Sequence, residues 1–308
     1  MGADRRTAPL LIVAGHRAGA CIQDPSAGSP EVRRPRLKGR GPLVSEVSRG
    51  RVHIERGRPA TVVGPDRVAL VAQFSVGPLQ PKSLSEYLMR LDAAGYATVV
   101  ISTCESAEPL EFPAGIPNDT MIIRRPNLGY DFGSWATALG CFPELRNAGT
   151  VLLTNDSLLG PFAPIDELLE WAAAPGPDIR GLTASFQFAH HIQSFFLSFR
   201  GGILADHPWR DFFNAVRVEP GKDDVVMSYE IGVSRLAFAE CYSSEVWVTG
   251  PELGVPYGNP TVDGWKNLIE SGVPFLKRTI MTHPSTEAEA AEAAQYIRRR
   301  FGTDVNEW

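Results

Sequence analysis

Asp156 is the residue whose setting most plainly suggests chemistry. It follows the apolar run Val151-Leu152-Leu153 and Thr154, and it precedes the turn residues Gly160 and Pro161. A buried strand that delivers a carboxylate to a polar turn can hold a hard divalent cation, Mg2+ or Mn2+. The cation can in turn neutralise a diphosphate. Asn155 and Ser157 flank the carboxylate and could touch ribose, phosphate or metal-bound water. The same three residues would also make an ordinary Asx turn. Near the other end of the chain, His283 could complete the metal shell.

A second constellation lies about 30 residues upstream, where residues 126–135 read PNLGYDFGSW. Gly129 and Gly133 would let a backbone approach a ligand closely, and a helix opening there favours anionic groups. Asn127 and Asp131 offer polar atoms to a nucleotide or a donor sugar. Gln73 and Ser75, at the end of the first apolar run, are candidate nucleotide contacts. Downstream, His191, Gln193 and Ser194 could bind acceptor hydroxyls; they would equally suit a polar strand edge. Adjacent His190 and His191 point to opposite faces of a strand, which disfavours a shared metal. Glu230, in SYEIGVSRL, is a candidate general base for an attacking hydroxyl, with Asp223 and Asp224 as rivals. Trp209, Trp247, Tyr257 and Trp265 could stack on sugar faces or belong to the core.

These residues need a scaffold. Short apolar runs at 68–76, 97–102, 120–124 and 150–154 read as buried strands. Helical spacing marks 83–94, 133–139 and 165–173. Further strands are expected at 181–186, 194–199, 246–249 and 275–279, and helices at 209–216, 225–239 and 285–301. Alternation of strand and helix predicts an α/β fold with a mostly parallel sheet flanked by helices. Ligands then sit beyond the carboxyl ends of the strands, where Gln73, Ser75, Asn127, Asp131 and Asp156 fall.

The chain has 308 residues and a formal net charge of −5, which argues against nucleic acid as its partner. The first 60 residues differ from the rest. They carry twelve Lys and Arg against five Asp and Glu, and no aromatic residue. Residues 1–62 therefore read as a basic segment too poor in apolar surface to order itself. Residues 63–284 read as one domain, and 285–308 as a terminal helix. The four cysteines form no CxxC pair and suit free thiols in a reducing cytoplasm. No apolar run reaches the ~18 residues of a membrane span, so a cytoplasmic protein is expected, at most peripheral on the inner face of the membrane. The chain contains no GxxxxGK[ST], GxGxxG or GxSxG motif, which disfavours P-loop, dinucleotide and α/β-hydrolase chemistry.

The runs IIRRPNLGYDFGSWATAL, VLLTNDSLLGP and GLTASFQFAHHIQSFFLSFR together resemble the rhamnan synthesis protein F family. The resemblance covers roughly residues 67–284. It implies a GT-A-like, Rossmann-like fold and a bacterial glycosyltransferase of surface-polysaccharide synthesis. The implied donor is a dTDP-sugar, often of L-rhamnose, and the implied acceptor a glycan or lipid-linked glycan. Thr154-Asn155-Asp156 then takes the place of a GT-A Asp-x-Asp motif whose first acid is Thr. Asp156 and His283 become the expected metal ligands. Gln73, Ser75, Asn127, Gly129, Asp131, Asn155 and Ser157 become the donor contacts, and Glu230 the base of an inverting transfer. The missing first acid leaves open a non-catalytic module that binds sugar nucleotides or glycans.

Overall fold

Val68, Ala69, Leu70 and Val71 are all buried, so the strand they form has no solvated face. In the computed structural model, which describes residues 41–308, it is the second of eleven strands. These are β1 (His53–Arg56), β2 (Arg67–Gln73), β3 (Ala97–Ser102), β4 (Met121–Arg124), β5 (Thr150–Asn155) and β6 (Leu158–Leu159). They continue as β7 (Ile179–Ser185), β8 (His191–Ile192), β9 (Phe196–Arg200), β10 (Ser244–Thr249) and β11 (Leu276–Lys277). Nine strands make one sheet in the order β1-β4-β3-β2-β5-β9-β7-β10, with β8 against β7; β11 and β6 pair separately.

β2, β3, β4 and β5 run parallel. β9 runs antiparallel to both β5 and β7, and β10 runs parallel to β7. Six strands of the main sheet therefore share one direction, as the alternation of elements predicts. From β2 the chain builds outward through β3 and β4, then returns to place β5 on the other flank of β2. That reversal is a topological switch point, and it leaves a crevice beyond the carboxyl ends of β2 and β5.

The helices that matter here are α1 (Val44–Val47), α2 (Lys82–Ala93), α3 (Tyr130–Cys141), α4 (Asp166–Ala173), α5 (His207–Asn214), α6 (Lys222–Val225) and α7 (Ile231–Ala239). Alternate residues of β2 serve different cores. Val68, Leu70 and Ala72 pack with Phe132 and Trp135 of α3 and with Trp209 and Phe213 of α5. Ala69 and Val71 pack with Leu84, Leu88 and Leu91 of α2 and with Leu168 and Leu169 of α4. The terminal helix Glu287–Phe301 closes a third cluster, in which Ala293 and Ile297 meet Leu159 of β6 and Leu276 of β11.

Residues 41–62 lie inside the segment expected to be unordered, yet they belong to the sheet and its cover. β1 pairs antiparallel with β4, and the Glu55 carboxylate accepts from Arg124 Nη1 at 2.7 Å. Val44 of α1 is fully buried. A segment without aromatics orders here because an existing sheet edge supplies its hydrogen-bond partners. Residues 1–40, with Cys21, lie outside the described part.

Candidate functional site

The crevice at the switch point has its floor set by backbone pairing. Asp156 N–H donates to the Ala72 carbonyl at 3.1 Å, and Phe74 N–H donates to Asp156 Oδ2 at 3.0 Å. An open cavity of about 510 Å³ lies here, walled by Phe74, Ser75, Gln80, Asp156, Ser157 and Arg278 among others. Asp156 is the only carboxylate in that wall. Burial, with Asp131 nearby, pushes it up to about 7, against the N–H of Phe74 and the charge of Arg278. Ser75 Oγ donates to the Gly77 carbonyl and accepts from Gln80 Nε2 at 3.2 Å. Gln73 is buried behind the wall. Its Nε2 donates to Gln80 Oε1, while its Oε1 has no partner among the described residues.

Asp131 and Asn155 meet from two elements. Asn155 Nδ2 donates to Asp131 Oδ2 at 2.7 Å, and Asn155 Oδ1 accepts from Ser157 N–H and Oγ. Asp131 sits in the first turn of α3, where burial raises its pKa against the Asn155 bond and the charge of Lys277. The path into α3 passes through two left-handed residues, Gly129 (φ 77°) and Tyr130 (φ 53°). The glycines expected to admit a ligand admit the protein itself. A Cβ on Gly129 would meet Val44 Cγ2 at 2.8 Å, and one on Gly133 would meet the Leu128 carbonyl oxygen at 2.5 Å. Asn127 is exposed at the same corner.

Glu230, His191 and Ser194, expected to act separately, form one cluster. Glu230 ends a five-residue π-helical segment, Val226–Glu230, and opens α7. Such segments recur at functional sites because they re-aim a side chain. Ser194 Oγ donates to Glu230 Oε2 at 2.7 Å, and His191 Nε2 lies 3.1 Å from Glu230 Oε1. His191 Nδ1 donates to the Ala189 carbonyl at 2.8 Å. Both ring nitrogens therefore face acceptors, which an imidazolium satisfies and a neutral ring does not. Burial opposes charge on both partners, but the mutual bond wins: His191 is raised and Glu230, also bonded by Ser194, is lowered. The His191 contribution is complete below its ordinary 6.5 and is lost as pH rises through its raised folded value. The Glu230 contribution is complete above its ordinary 4.5 and is lost as pH falls through its lowered folded value. About 17% of the Glu230 side chain remains accessible, enough for a proton to reach it.

His191→Leu should leave Glu230 buried without its cation. The acid limb of a pH–rate profile then moves to higher pH. Profiles of kcat/KM for the two proteins check this, and an unmoved limb removes His191 from the mechanism.

Other candidates take structural places. Gln193 Oε1 accepts from Thr183 Oγ1 at 2.6 Å, and its Nε2 donates to Asn259. Its side chain ties β7 to a loop, and its hydrogen bonds go to Thr183 and Asn259 rather than to Glu230. His190 packs on Phe186, and Asp223 and Asp224 are exposed on α6. Trp209 and Trp265 are core residues, Trp247 donates to the Ser271 carbonyl, and Tyr257 is 83% exposed. His283 is exposed. Its Nδ1 accepts from Ser285 N–H at the start of a 3₁₀ turn, and it is not part of the cavity wall.

Two cations went unnoticed in the sequence. The β6–β11 pairing sets Lys277 opposite Leu158. Lys277 Nζ donates to Ser157 Oγ at 2.7 Å, and Arg278 Nη2 reaches the Asp156 carbonyl at 3.4 Å. Burial lowers Lys277 to about 8, with Asp131, Glu230 and Asp156 opposing it and Lys222 adding to it. A lysine inside the short apolar run PFLKR was the available signal.

A resident divalent ion fits these residues poorly. Among the described residues no three His, Cys, Asp or Glu side chains are arranged so that they could hold a metal ion. The lone wall carboxylate already accepts a backbone N–H and has a guanidinium beside it. Thr154, where an Asp-x-Asp motif would have its first acid, is fully buried; it accepts from Tyr87 Oη at 3.1 Å and donates to the Phe195 carbonyl at 2.8 Å. Its side chain faces the core, so Thr154→Asp should add no Mn2+-dependent activity. It should cost about 1–3 kcal/mol of stability, read as a lower denaturation midpoint. A gain of metal-dependent turnover would contradict this placement.

A model of the family described as rhamnan synthesis protein F matches residues 115–306. The uncharacterized protein y4gN of Sinorhizobium fredii (strain NBRC 101917 / NGR234) is 25% identical over 120 residues. That match covers 37% of this chain and 31% of y4gN, so the chain aligns with about a third of that relative's length. Among solved structures, the mannosyltransferase PcManGT from Pyrobaculum calidifontis, in complex with GDP-Man and Mn2+, is similar with a TM-score of 0.36 and 12% identity. The likeness covers 77% of this chain and 78% of that one.

Proposed function

The chain belongs to the rhamnan synthesis protein F family, and from that premise we propose that it is a GT-A-like glycosyltransferase of bacterial surface-polysaccharide synthesis. It takes a sugar from a nucleoside diphosphate donor, with dTDP-L-rhamnose as the first candidate, and passes it to a hydroxyl of a glycan or lipid-linked glycan. The observation that carries the reading is Asp156 in the wall of the switch-point crevice, with Ser157 beside it tied through Asn155 to Asp131.

In this reading the nucleotide lies along the ends of β2 and β5, against Phe74 and Ser75. Asn155, Asp131 and Ser157 hold the donor. The acceptor hydroxyl approaches Glu230, which accepts its proton as the oxygen bonds to the anomeric carbon. The bond from that carbon to the diphosphate breaks, and its electrons leave on the diphosphate, which gives inversion. A carboxylate has about four lone-pair sites. His191 and Ser194 occupy two, so Glu230 keeps room for the incoming proton. No helix among the described residues is long and apolar enough to cross a membrane.

A thermal-shift screen of nucleotide sugars tests the reading. A matching donor at about 100 times its Kd should add ~2.7 kcal/mol of stability. Absence of any shift across dTDP-, UDP- and GDP-sugars would sink it. The buried, satisfied Thr154 favours one second reading, a binding module without turnover. A shift with no donor consumption would select that reading.

A further inference from the structure

We propose that Lys277 is the cation that meets the donor diphosphate, in the place where a divalent ion was expected. The inference rests on the donor site described above and deepens it.

The geometry is specific. β11 is only two residues long, and its pairing with β6 carries the Lys277 side chain to the loop that follows β5. Nζ donates to Ser157 Oγ, one residue beyond Asp156. An ammonium has three N–H donors in a free fan. Among the described residues only this one hydrogen bond is made, so two donors remain for a ligand. Phe195 lies beneath Nζ, 5.1 Å from ring centroid to nitrogen, which favours the charged form without using a donor.

Three carboxylates, Asp131, Asp156 and Glu230, act on Lys277 from α3, the β5 exit and the start of α7. None lies within ion-pair distance of it. The ammonium is thus held in the acid cluster without being committed to one member. An arriving diphosphate supplies the charge-assisted partner that the cluster withholds. Arg278, next in the chain, is itself part of the cavity wall, whereas Lys277 reaches that wall through its bond to Ser157. A divalent ion at Asp156 would face both cations, whereas an anionic ligand would meet them. Ser157 is bonded to Asn155, and Asn155 to Asp131, so the position of Lys277 is fixed through the same loop that orders the donor residues.

The test is calorimetry of dTDP, UDP and GDP with the full chain, in EDTA and then in Mn2+. At least one diphosphate should bind in EDTA, with Mn2+ changing its Kd less than about threefold. Lys277→Met should weaken that diphosphate ~10- to 100-fold while leaving the matching nucleoside, which has no phosphate, unchanged. Lys277→Arg should restore most of the loss and guards against a Met variant that fails to fold. Binding that requires Mn2+ in the wild-type protein would overturn the inference and leave the proposed transfer standing. Equal diphosphate affinity in Lys277→Met would do the same. No diphosphate binding in either condition would overturn both.

Discussion

Glu230→Gln is expected to lower sugar transfer by ~10²- to 10⁴-fold while leaving donor affinity within about twofold. The amide keeps the shape of the carboxylate and still accepts from Ser194 Oγ. It cannot take the acceptor proton as the new glycosidic bond forms. The loss should fall on kcat and kcat/KM alike, because the lost interaction exists only in the transition state. Single-turnover kinetics at saturating donor measure it directly. Asp223→Asn and Asp224→Asn should leave the rate unchanged, since both side chains lie exposed on α6. Undiminished turnover in Glu230→Gln would return the search for the base to those rivals.

Trp135→Ala should cost about 3–5 kcal/mol, a large fraction of the ~5–15 kcal/mol that stabilises an ordinary domain. Trp135 is fully buried, and its Nε1 donates to the carbonyls of Leu70 and Thr154 at 3.2 Å each. Those two residues belong to β2 and β5, the strands that flank the switch point. The indole also packs edge-on against Phe132, at 5.0 Å between centroids. Its loss opens a cavity beneath the crevice and strips one donor from both strands. Chemical denaturation of the two proteins checks the figure. A loss under 1 kcal/mol would mean that α3 does not fasten the crevice.

Much of the scaffold was readable because its strands are uniformly apolar. Residues 97–102 form the strand expected there, and the run at 150–154 extends only to Asn155. Helix α3 begins at Tyr130, three residues before the periodicity suggests, because its first turn is built from left-handed and polar residues. The expected strand over 275–279 shrinks to Leu276 and Lys277, after which the chain turns helical. β1 was missed, since HIER shows no apolar alternation and is fixed by its neighbour β4. β6 and β8 are two residues each, too short for any period.

The site was legible residue by residue and illegible as an arrangement. Asp156 stood out by type and by position at a strand exit, Glu230 as an acid at a helix start, and His191 and Ser194 as polar residues leading into a strand. Their grouping could not be read, because His191 and Glu230 are 39 residues apart and meet only through a π-helical segment. Lys277 was hidden for the same reason, being 120 residues from the serine it bonds. Gly129 and Gly133 were legible as tight places, but what fills them is Val44 and the Leu128 carbonyl. Gln193 was selected for its polarity, which Thr183 and Asn259 consume.

The most direct measurement is product formation from dTDP-L-rhamnose and a rhamnan oligosaccharide, with diphosphate release and the anomeric configuration of the product read together. The account predicts release of dTDP by the wild-type protein, a product of inverted configuration, and near-complete loss of both in Glu230→Gln. Retained configuration, or equal release by Glu230→Gln, would contradict it.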